Sequence, residues 1–279
     1  MLYQKGMIIM SNLIVIPNKK ENIKNILNKD IKGIIIGVKD LSIYPLELDI
    51  EEIIDIADKT NKEIIVAINR MIHNKDLELV IDVLNKIKNS SIKKILFYDL
   101  GVFNICKDIN IDKELIISQE HLNASNSSNE FYYNKGIKNS YITSDITHEE
   151  ILNIKNNSKM NIYYTVYGYL PIFYSRRYLL TNYFKYIDKE MKDNTYYVFN
   201  NELRYMIKEY NYGTIIYSPL VNLLSKIEKL HIIDNLVIDL SHTDNIDIID
   251  KFINKEVEEG YIGFYNIKTI YKLKGDKNE

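Results

Sequence analysis

Four side chains with the chemistry of acids, bases or metal ligands follow predicted strands, and they are Glu120, His121, Asp239 and His242. Histidine and carboxylate are the usual residue types both for metal binding and for general acid–base catalysis. Their spacing is diagnostic of neither role, because the chain has no His-x-x-x-His pair and its Glu-x-x-His, Glu228 with His231, precedes the last predicted strand. We predict no metal site, and histidines of the rim or surface remain the simpler interpretation.

A basic turn, Ser175-Arg176-Arg177, is predicted to start a helix and forms a second candidate site. Free amide groups at a helix N-terminus, together with two guanidinium groups, would bind a phosphate or a carboxylate. Solvated ion pairs of the two arginines are the alternative. The residues alone do not choose between these interpretations.

Tyrosines are dense in the same part of the chain, at positions 163, 164, 167, 169, 174, 178 and 183. Their rings could stack on nucleic-acid bases, as in proteins that bind single strands. The alternative is a buried core with polar rims. The chain contains neither a glycine-rich phosphate loop nor a Gly-x-Ser-x-Gly elbow, so nucleotide-cofactor and serine-hydrolase motifs are not supported.

The single cysteine, Cys106, excludes an internal disulfide framework and any zinc or iron–sulfur site built only from cysteines of this chain. We interpret it as a small buried hydrophobic residue and not as a nucleophile. Met1 to Pro17 is too short in its apolar part for a signal peptide, and no later apolar run approaches a membrane span of about 20 residues. These features predict a cytoplasmic protein without a membrane partner.

Charge limits the nucleic-acid binding that the chain could achieve alone. The 36 basic and 38 acidic residues give a formal charge of −2. A protein whose affinity comes from phosphate contacts would carry a global positive field. Any RNA binding must therefore be local or shared with a partner.

Short β-branched runs alternate with helical stretches that carry apolar residues at three- and four-residue spacing, which is typical of βα units. Runs such as Ile34–Ile36 and Ile64–Val66 are apolar without interruption and indicate strands buried on both faces. Eight strands are predicted, at Leu13–Pro17, Gly33–Val38, Glu63–Asn69, Lys94–Asp99, Glu114–Ser118, Ser140–Ser144, Ile162–Tyr167 and Leu236–Asp239. Eight is the number at which a parallel sheet closes, so we predict an α/β fold, a (β/α)8 TIM-barrel-like domain.

We predict a single barrel domain over residues 1–279. Residues 195–218 form an antiparallel insertion between the seventh and eighth units, because two strand-like runs, Tyr196–Phe199 and Thr214–Tyr217, flank a polar middle. This small antiparallel excursion would lie over the barrel mouth. Residues 260–279 form a C-terminal tail that adds a strand or hairpin to the body and frays after Gly275.

Polar residues that follow predicted strands are the candidates for substrate binding. The carboxyl ends of parallel barrel strands meet at one mouth, so these side chains should lie near each other. On this basis we predict substrate-binding roles for Arg70, Asp99, Gln119 and Asp239. No catalytic residue is assigned.

The stretch from Val166 to Leu180 reads Val-Tyr-Gly-Tyr-Leu-Pro-Ile-Phe-Tyr-Ser-Arg-Arg-Tyr-Leu-Leu. It resembles the signature of the collagenase-like peptidase family U32, in which a glycine is followed by a paired Tyr-Ser, an arginine and two cysteines. Pro171 and Tyr178 occupy the two cysteine places, Asn222 falls at a third, and Asp239 stands where the family has a glutamate. The resemblance carries motif roles to Tyr167, Gly168, Tyr174, Ser175 and Arg177, and the last three join the predicted substrate-binding set.

The resemblance implies an RNA- or quinone-hydroxylation system rather than proteolysis. Members of the family are associated with oxygen-independent hydroxylation that uses an iron–sulfur cluster held by four cysteines and, in several cases, prephenate as the hydroxyl donor. This chain lacks those thiolates, so we expect it to carry no such cofactor. It is similar to the short, cysteine-less member that some genomes encode beside a longer one.

The expected role is an accessory subunit for hydroxylation of the wobble uridine of tRNA. Its partners would be a cysteine-bearing U32 paralogue in a hetero-oligomer and tRNA. Two alternatives stay open at this point. One is a peptidase, as the family name says, and the other is a barrel enzyme that acts on a small anionic metabolite through Arg70, Asp99, Arg177 and Asp239.

Overall fold

The computed structural model of the protein describes residues 12–267. Its strands are β1 Asn12–Ile16, β2 Gly33–Val38, β3 Glu47–Leu48, β4 Glu63–Ile68, β5 Lys94–Phe97, β6 Glu114–Ser118, β7 Asn139–Tyr141, β8 Asn161–Ser175, β9 Thr195–Asn200, β10 Leu203–Tyr210, β11 Gly213–Asn222 and β12 Asn235–Asp239. Its α-helices are α1 Ile23–Leu27, α2 Ile50–Asp58, α3 Leu77–Lys88, α4 Leu100–Asp108, α5 Asn126–Asn134, α6 His148–Asn157, α7 Leu179–Tyr186 and α8 Ile248–Asn254.

Eight parallel strands close into a barrel in the order β1, β2, β4, β5, β6, β7, β8 and β12, and β12 pairs with both β8 and β1. Helices follow these strands along the chain. The predicted (β/α)8 TIM-barrel-like fold is therefore confirmed. None of the helices within residues 12–267 is both long and apolar enough to span a bilayer.

Strand periodicity explains why the barrel is filled on both sides. In β1, Ile14 and Ile16 belong to a cluster inside the barrel that also contains Ile35 and Tyr163. Their neighbour Val15 belongs to the larger cluster between the sheet and the helices. Alternate residues of a strand point to opposite faces, so an uninterrupted isoleucine run supplies both layers of the core at once.

Strand β8 leaves the barrel and continues as part of a second sheet. Its first part pairs in parallel with β12, and its residues from Tyr167 to Ser175 pair antiparallel with β11. Strands β10 and β9 complete this sheet, with β9 at its edge. We use the name antiparallel excursion for this sheet together with helix α7, which connects β8 to β9.

The position of the excursion between the seventh and eighth barrel strands is as predicted, but its expected limits and strand number are wrong. It has three strands beyond β8 instead of two, and β11 runs to Asn222. The residues predicted as a polar middle form β10, which pairs with β9 on one side and with β11 on the other. Beyond it, Tyr261 of the predicted tail makes one bridge with Val221, and residues 268–279 lie outside the described part.

Candidate functional site at the barrel mouth

A cavity of about 80 Å³ opens at the carboxyl ends of the barrel strands. Polar side chains from several strands and strand ends line it, and they include Asn69, Ser118, Tyr141, Thr143, Thr165 and Asp239. The leading segment of the excursion supplies Leu170 and Pro171 to the same wall. The mouth is therefore a small mixed polar and apolar pocket, the kind of site that binds a compact ligand.

Asp239 is an ionisable group of the cavity whose pKa is raised toward neutral pH. It ends β12, and its Oδ1 accepts a hydrogen bond of 2.8 Å from the backbone N–H of Ser241. Burial raises the pKa of Asp239 to about 6, although that hydrogen bond acts in the opposite direction. A carboxyl group with this pKa can both give and accept a proton near neutral pH.

Gly168 lets strand β8 pass directly beside Asp239. Its φ of +139° is a conformation that L-residues with side chains rarely adopt. A Cβ at this position would lie 2.7 Å from the Asp239 Cβ and 2.7 Å from its carbonyl oxygen. The glycine of the signature is thus required by a close approach of backbone at the cavity.

A pair of hydroxyl groups lines the cavity from the neighbouring strands β7 and β8. The Tyr141 hydroxyl and Thr165 Oγ1 are 2.6 Å apart, and both residues line the cavity. Burial raises the pKa of the Tyr141 phenol, with the negative charge of Asp239 adding to this. The phenol therefore stays protonated and can donate a hydrogen bond to a bound ligand.

Tyrosines of the excursion form the roof next to the cavity. The Tyr210 and Tyr217 hydroxyl oxygens are 2.8 Å apart, and Tyr210 also lies 3.4 Å from His242 Nε2. The His242 ring packs edge-on against Tyr217 with ring centres 4.5 Å apart. Burial lowers the pKa of His242 to about 3, so its imidazole is neutral at physiological pH.

Arg70 anchors the roof to the barrel. It is buried, and its guanidinium carbon lies 5.0 Å from the ring centre of Tyr212. The Tyr212 hydroxyl donates to the carbonyl oxygen of Ile43 at 3.0 Å. Nearby, burial raises the pKa of Glu47 to about 7 even though Arg70 and backbone hydrogen bonds favour its charged form. Arg70 thus packs under an aromatic ring, a cation–π contact, and is not displayed on the rim.

Two other predicted binding residues are engaged in local structure. Asp99 is the N-cap of α4, where its Oδ1 accepts from the Gly101 N–H at 2.7 Å. Gln119 Oε1 accepts a hydrogen bond of 2.6 Å from the Tyr132 hydroxyl. Both lie at strand ends as expected, but neither is among the residues that line the cavity.

The expectation that Ser175-Arg176-Arg177 starts a helix is wrong. Ser175 is the last residue of β8, and α7 begins at Leu179. The carboxylate of Glu209 already binds this helix terminus, accepting from the N–H groups of Leu180 at 2.8 Å and Thr181 at 3.2 Å and from the Thr181 hydroxyl. An internal anion takes the place that an external phosphate or carboxylate would need.

The residues of this turn lie in different surroundings. Arg176 points back to the barrel, where it donates to the carbonyl oxygen of Met71 at 2.7 Å and lies 3.5 Å from Asp76. Arg177 is exposed, and its carbonyl oxygen accepts from the Thr214 hydroxyl at 2.8 Å. Tyr174 packs on the roof, edge to face with Tyr212. The structure brings Tyr174 to the mouth and leaves the Arg177 side chain at the surface.

His121, Asp239 and His242 do not gather into a metal site. His121 Nδ1 is paired with the Asp145 carboxylate at the edge of the cavity, while His242 is in the tyrosine roof. Within residues 12–267 no group of three or more His, Cys, Asp or Glu side chains is placed to hold a metal ion. His121 and Asp145 form an ion pair whenever the imidazole is protonated.

An iron–sulfur cluster does not fit the residues at the family's cysteine places. The Tyr178 hydroxyl donates to the Asn211 carbonyl oxygen at 2.7 Å, near one end of β11. Asn222 stands at the other end, where its side chain binds Glu258 and the Leu224 N–H. Pro171 has no donor atom, and Cys106 is buried in α4. These side chains neither converge nor supply the thiolates that a cluster requires.

Sequence reasoning missed most of the roof. Tyr210, Tyr212 and Tyr217 were not candidates, because they come from the excursion, whose contacts with the mouth are set by long-range packing. Thr165 was missed for a different reason, since it lies within β8 and not after its end. The two-residue spacing of Tyr163 and Thr165 could have indicated that Thr165 points into the barrel with Tyr163.

Comparison with known proteins agrees with the signature. The sequence profile of peptidase family U32 matches residues 5–200, which is most of the chain. The chain belongs to peptidase family U32. A curated relative, tRNA hydroxylation protein P2 of Bacillus subtilis (strain 168), is 26% identical over 191 residues, and the match covers 65% of this chain and 62% of that protein.

Two solved structures align with most of this chain at low sequence identity. One is a monomeric form of phosphoribosylanthranilate isomerase from Thermotoga maritima, with 9% identity, a TM-score of 0.49, and coverage of 88% of this chain and 98% of that one. Another is a chitinase from Chromobacterium violaceum, with 9% identity, a TM-score of 0.44, and coverage of 89% of this chain and 100% of that one.

Proposed function

We propose that this U32 chain is an accessory subunit for oxygen-independent hydroxylation of the wobble uridine of tRNA, and that it works in a hetero-oligomer with a cysteine-bearing U32 paralogue. The observation that carries the proposal is the combination of an intact barrel mouth with the loss of cluster-binding side chains at Pro171, Tyr178 and Asn222. The name of the Bacillus subtilis relative supports the choice of tRNA hydroxylation.

The mouth suits a binding and positioning role. Asp239, with its pKa near 6, and the Tyr141 phenol place a proton acceptor and a proton donor in the lining of one small cavity. Leu170 and Pro171 limit the access of water on the side of the excursion. In this role the chain holds a compact polar group, such as the hydroxyl donor or the base, and the paralogue supplies the redox step.

The family name alone does not support peptidase activity. A nucleophile would need an activating base within hydrogen-bond reach. Among the described residues, Cys106 is buried, and burial raises its pKa to about 12, so it stays a thiol. Thr165 lines the cavity, but its hydroxyl is paired with the Tyr141 hydroxyl at 2.6 Å.

The direct test is deletion of the gene in its native host, followed by mass spectrometry of nucleosides from bulk tRNA. We expect hydroxylated wobble uridine to fall strongly, and a plasmid copy of the chain to restore it. A copy with Asp239→Asn should restore it poorly, whereas Asp99→Asn, which alters a helix cap outside the cavity, should restore it well. Unchanged hydroxyuridine in the deletion strain would contradict the proposal.

A second measurement tests the subunit assignment. The chain and the cysteine-bearing paralogue are co-expressed with an affinity tag on one of them and purified without oxygen. We expect the two to co-purify and the iron content to follow the paralogue alone. Hydroxylation by either protein in isolation at the rate of the pair would contradict an accessory role.

A further inference from the structure

Exposed aromatic side chains are concentrated in the antiparallel excursion. Among residues 12–267, eight phenylalanine or tyrosine side chains are exposed, and six of them lie between residues 173 and 199. These six are Phe173, Tyr178, Tyr183, Tyr186, Tyr197 and Phe199. The barrel, by contrast, displays Phe131 on α5, and Phe264 lies near the end of the described part. Two of the six, Tyr197 and Phe199, lie on one face of β9, and exposed aromatic rings on a shared face are typical of an interaction surface.

The same segment is positively charged on a chain that is otherwise negative. Residues 171–208 contain seven of the 36 basic residues and only four of the 38 acidic ones. The chain as a whole has a formal charge of −2, so the remainder is more acidic than that total. Lys185, Lys189 and Lys192 in this segment are exposed. Lysine is depleted at protein–protein interfaces but binds phosphate readily, which favours a nucleic acid over a protein as occupant.

One face of the outer strands brings rings and cations together. The pairing of β9 with β10 sets Phe199 opposite Arg204 and Thr195 opposite Lys208, so these side chains share a face with Tyr197. The Arg204 guanidinium lies 3.5 Å from the centre of the Tyr197 ring. We call Tyr197, Phe199, Arg204 and Lys208 the outer strip. Guanidinium planes and aromatic rings are both stacking platforms for bases.

The outer strip leads to the mouth. Tyr197 pairs with Met206, whose buried side chain on the same face packs in the roof cluster with Ile43 and Tyr217. Tyr169 lies at the inner end of this path, because its ring centre is 6.4 Å from that of His242. A strand of RNA on the outer strip would therefore have an aromatic path toward the cavity.

We propose that the outer strip binds the unpaired anticodon loop of tRNA, with bases stacked on Phe199 and on the Tyr197–Arg204 pair and phosphates held by Arg204 and Lys208. This inference rests on the proposed function and adds the surface that receives the RNA. It also explains how a chain with net negative charge binds RNA, because the positive charge is local.

The test measures binding of a fluorescent anticodon stem-loop to the purified full-length chain, alone and with the paralogue, as a function of salt. We expect Phe199→Ala to weaken binding about tenfold, the typical effect of losing one stacked base. We expect Arg204→Ala to weaken it as well and to reduce the slope of log K against log salt by about 0.7, the value for one phosphate of a single strand. A blunt duplex of the same length should bind the wild type weakly.

Phe131→Ala and Lys135→Ala are the matched controls, because Phe131 is exposed as Phe199 is, and Lys135 lies 5.5 Å from its ring on the barrel exterior. Their affinity for the stem-loop should stay within about twofold of wild type. Equal binding by wild type and outer-strip variants, or no binding by the wild type in either form, would overturn the proposal. If the outer-strip variants no longer bind the paralogue but keep the RNA affinity of the wild type, the outer strip binds a protein and the proposal is overturned. If RNA binding follows the outer strip while gene deletion leaves hydroxyuridine unchanged, only the proposed function fails.

Discussion

The barrel and the antiparallel excursion are built by different means. The barrel is held mainly by isoleucine-rich strands that are buried on both faces, where apolar burial contributes about 25 cal/mol per Å². The excursion exposes much of its aromatic surface and is positioned by individual polar contacts, among them the Glu209 cap of α7 and the Tyr212 hydroxyl on Ile43. The barrel therefore depends mainly on apolar burial, and the excursion depends more on individual hydrogen bonds. Substitutions in the two regions should differ accordingly.

The largest effect is expected at Gly168, where strand β8 passes against Asp239 without space for a side chain. Gly168→Ala combines an unfavourable φ with a clash against the Asp239 backbone, so we expect a loss of about 3 to 5 kcal/mol in the free energy of unfolding. Gly136→Ala is the control, because its φ is also positive at 97° but a Cβ there meets nothing within 4 Å. Its cost should be about 1 to 2 kcal/mol, from backbone strain alone. Urea unfolding checks both, and equal losses would contradict the close-approach argument.

Replacing the internal anion of the excursion should have the next largest effect. Glu209→Ala leaves the N–H groups of Leu180 and Thr181 without the acceptor they bind, at a cost of about 2 to 3 kcal/mol. Hydrogen exchange should rise first in α7 and β10 while the barrel strands β2 and β4 stay protected. Equal acceleration of hydrogen exchange in α7, β10, β2 and β4 would show that barrel and excursion unfold as one unit, and would contradict this prediction.

A smaller effect depends on pH. The folded chain holds a proton on Asp239 up to about pH 6, whereas the unfolded chain releases it near pH 4, so this carboxyl lowers the stability as pH rises through that window. Relative to wild type, Asp239→Asn should therefore gain about 2 kcal/mol in unfolding free energy between about pH 4 and pH 7. His242, whose pKa is lowered to about 3, acts in the opposite direction but is common to both proteins. Urea unfolding at matched ionic strength measures the difference, and a pH-independent difference would contradict a buried carboxyl.

The smallest effect concerns one hydrogen bond between the regions. Tyr212→Phe removes the hydroxyl that donates to Ile43 and keeps the ring over Arg70, so the free energy of unfolding should fall by about 1 kcal/mol. Tyr186→Phe, at a side chain that is 88% exposed, is the control and should change nothing measurable. Thermal unfolding of the two variants side by side is sufficient. A larger loss from Tyr186→Phe would contradict the assignment of the contact.

The barrel was readable from sequence because its signal is local. Gly33–Val38 and Glu114–Ser118 were predicted with the bounds that the structure gives, since a continuous apolar run between turns has few other interpretations. The strands of the excursion could be predicted less completely. In β10, Arg204, Lys208 and Glu209 interrupt the apolar pattern, and each is polar for a reason that only the folded chain reveals.

The candidate site followed the same division. Asp239 was found because it ends a barrel strand, and the rule that barrel sites lie at strand ends is general. Arg177 was placed at an anion site because the sequence could not show that β8 continues to Ser175 or that Glu209, far along the chain, caps the next helix. Contacts between distant segments, such as those of Tyr210 with Tyr217 and His242, leave no local pattern to find.

One strand belongs to both sheets. Strand β8 has 15 residues, so it is a rod of roughly 50 Å whose inner end is clamped in the barrel wall and whose outer end projects beyond it. The projecting part of β8 is joined to the barrel part through Gly168, which has no side chain and lies beside Asp239. A partner that binds the excursion therefore binds the same strand that supplies Thr165, Leu170 and Pro171 to the cavity.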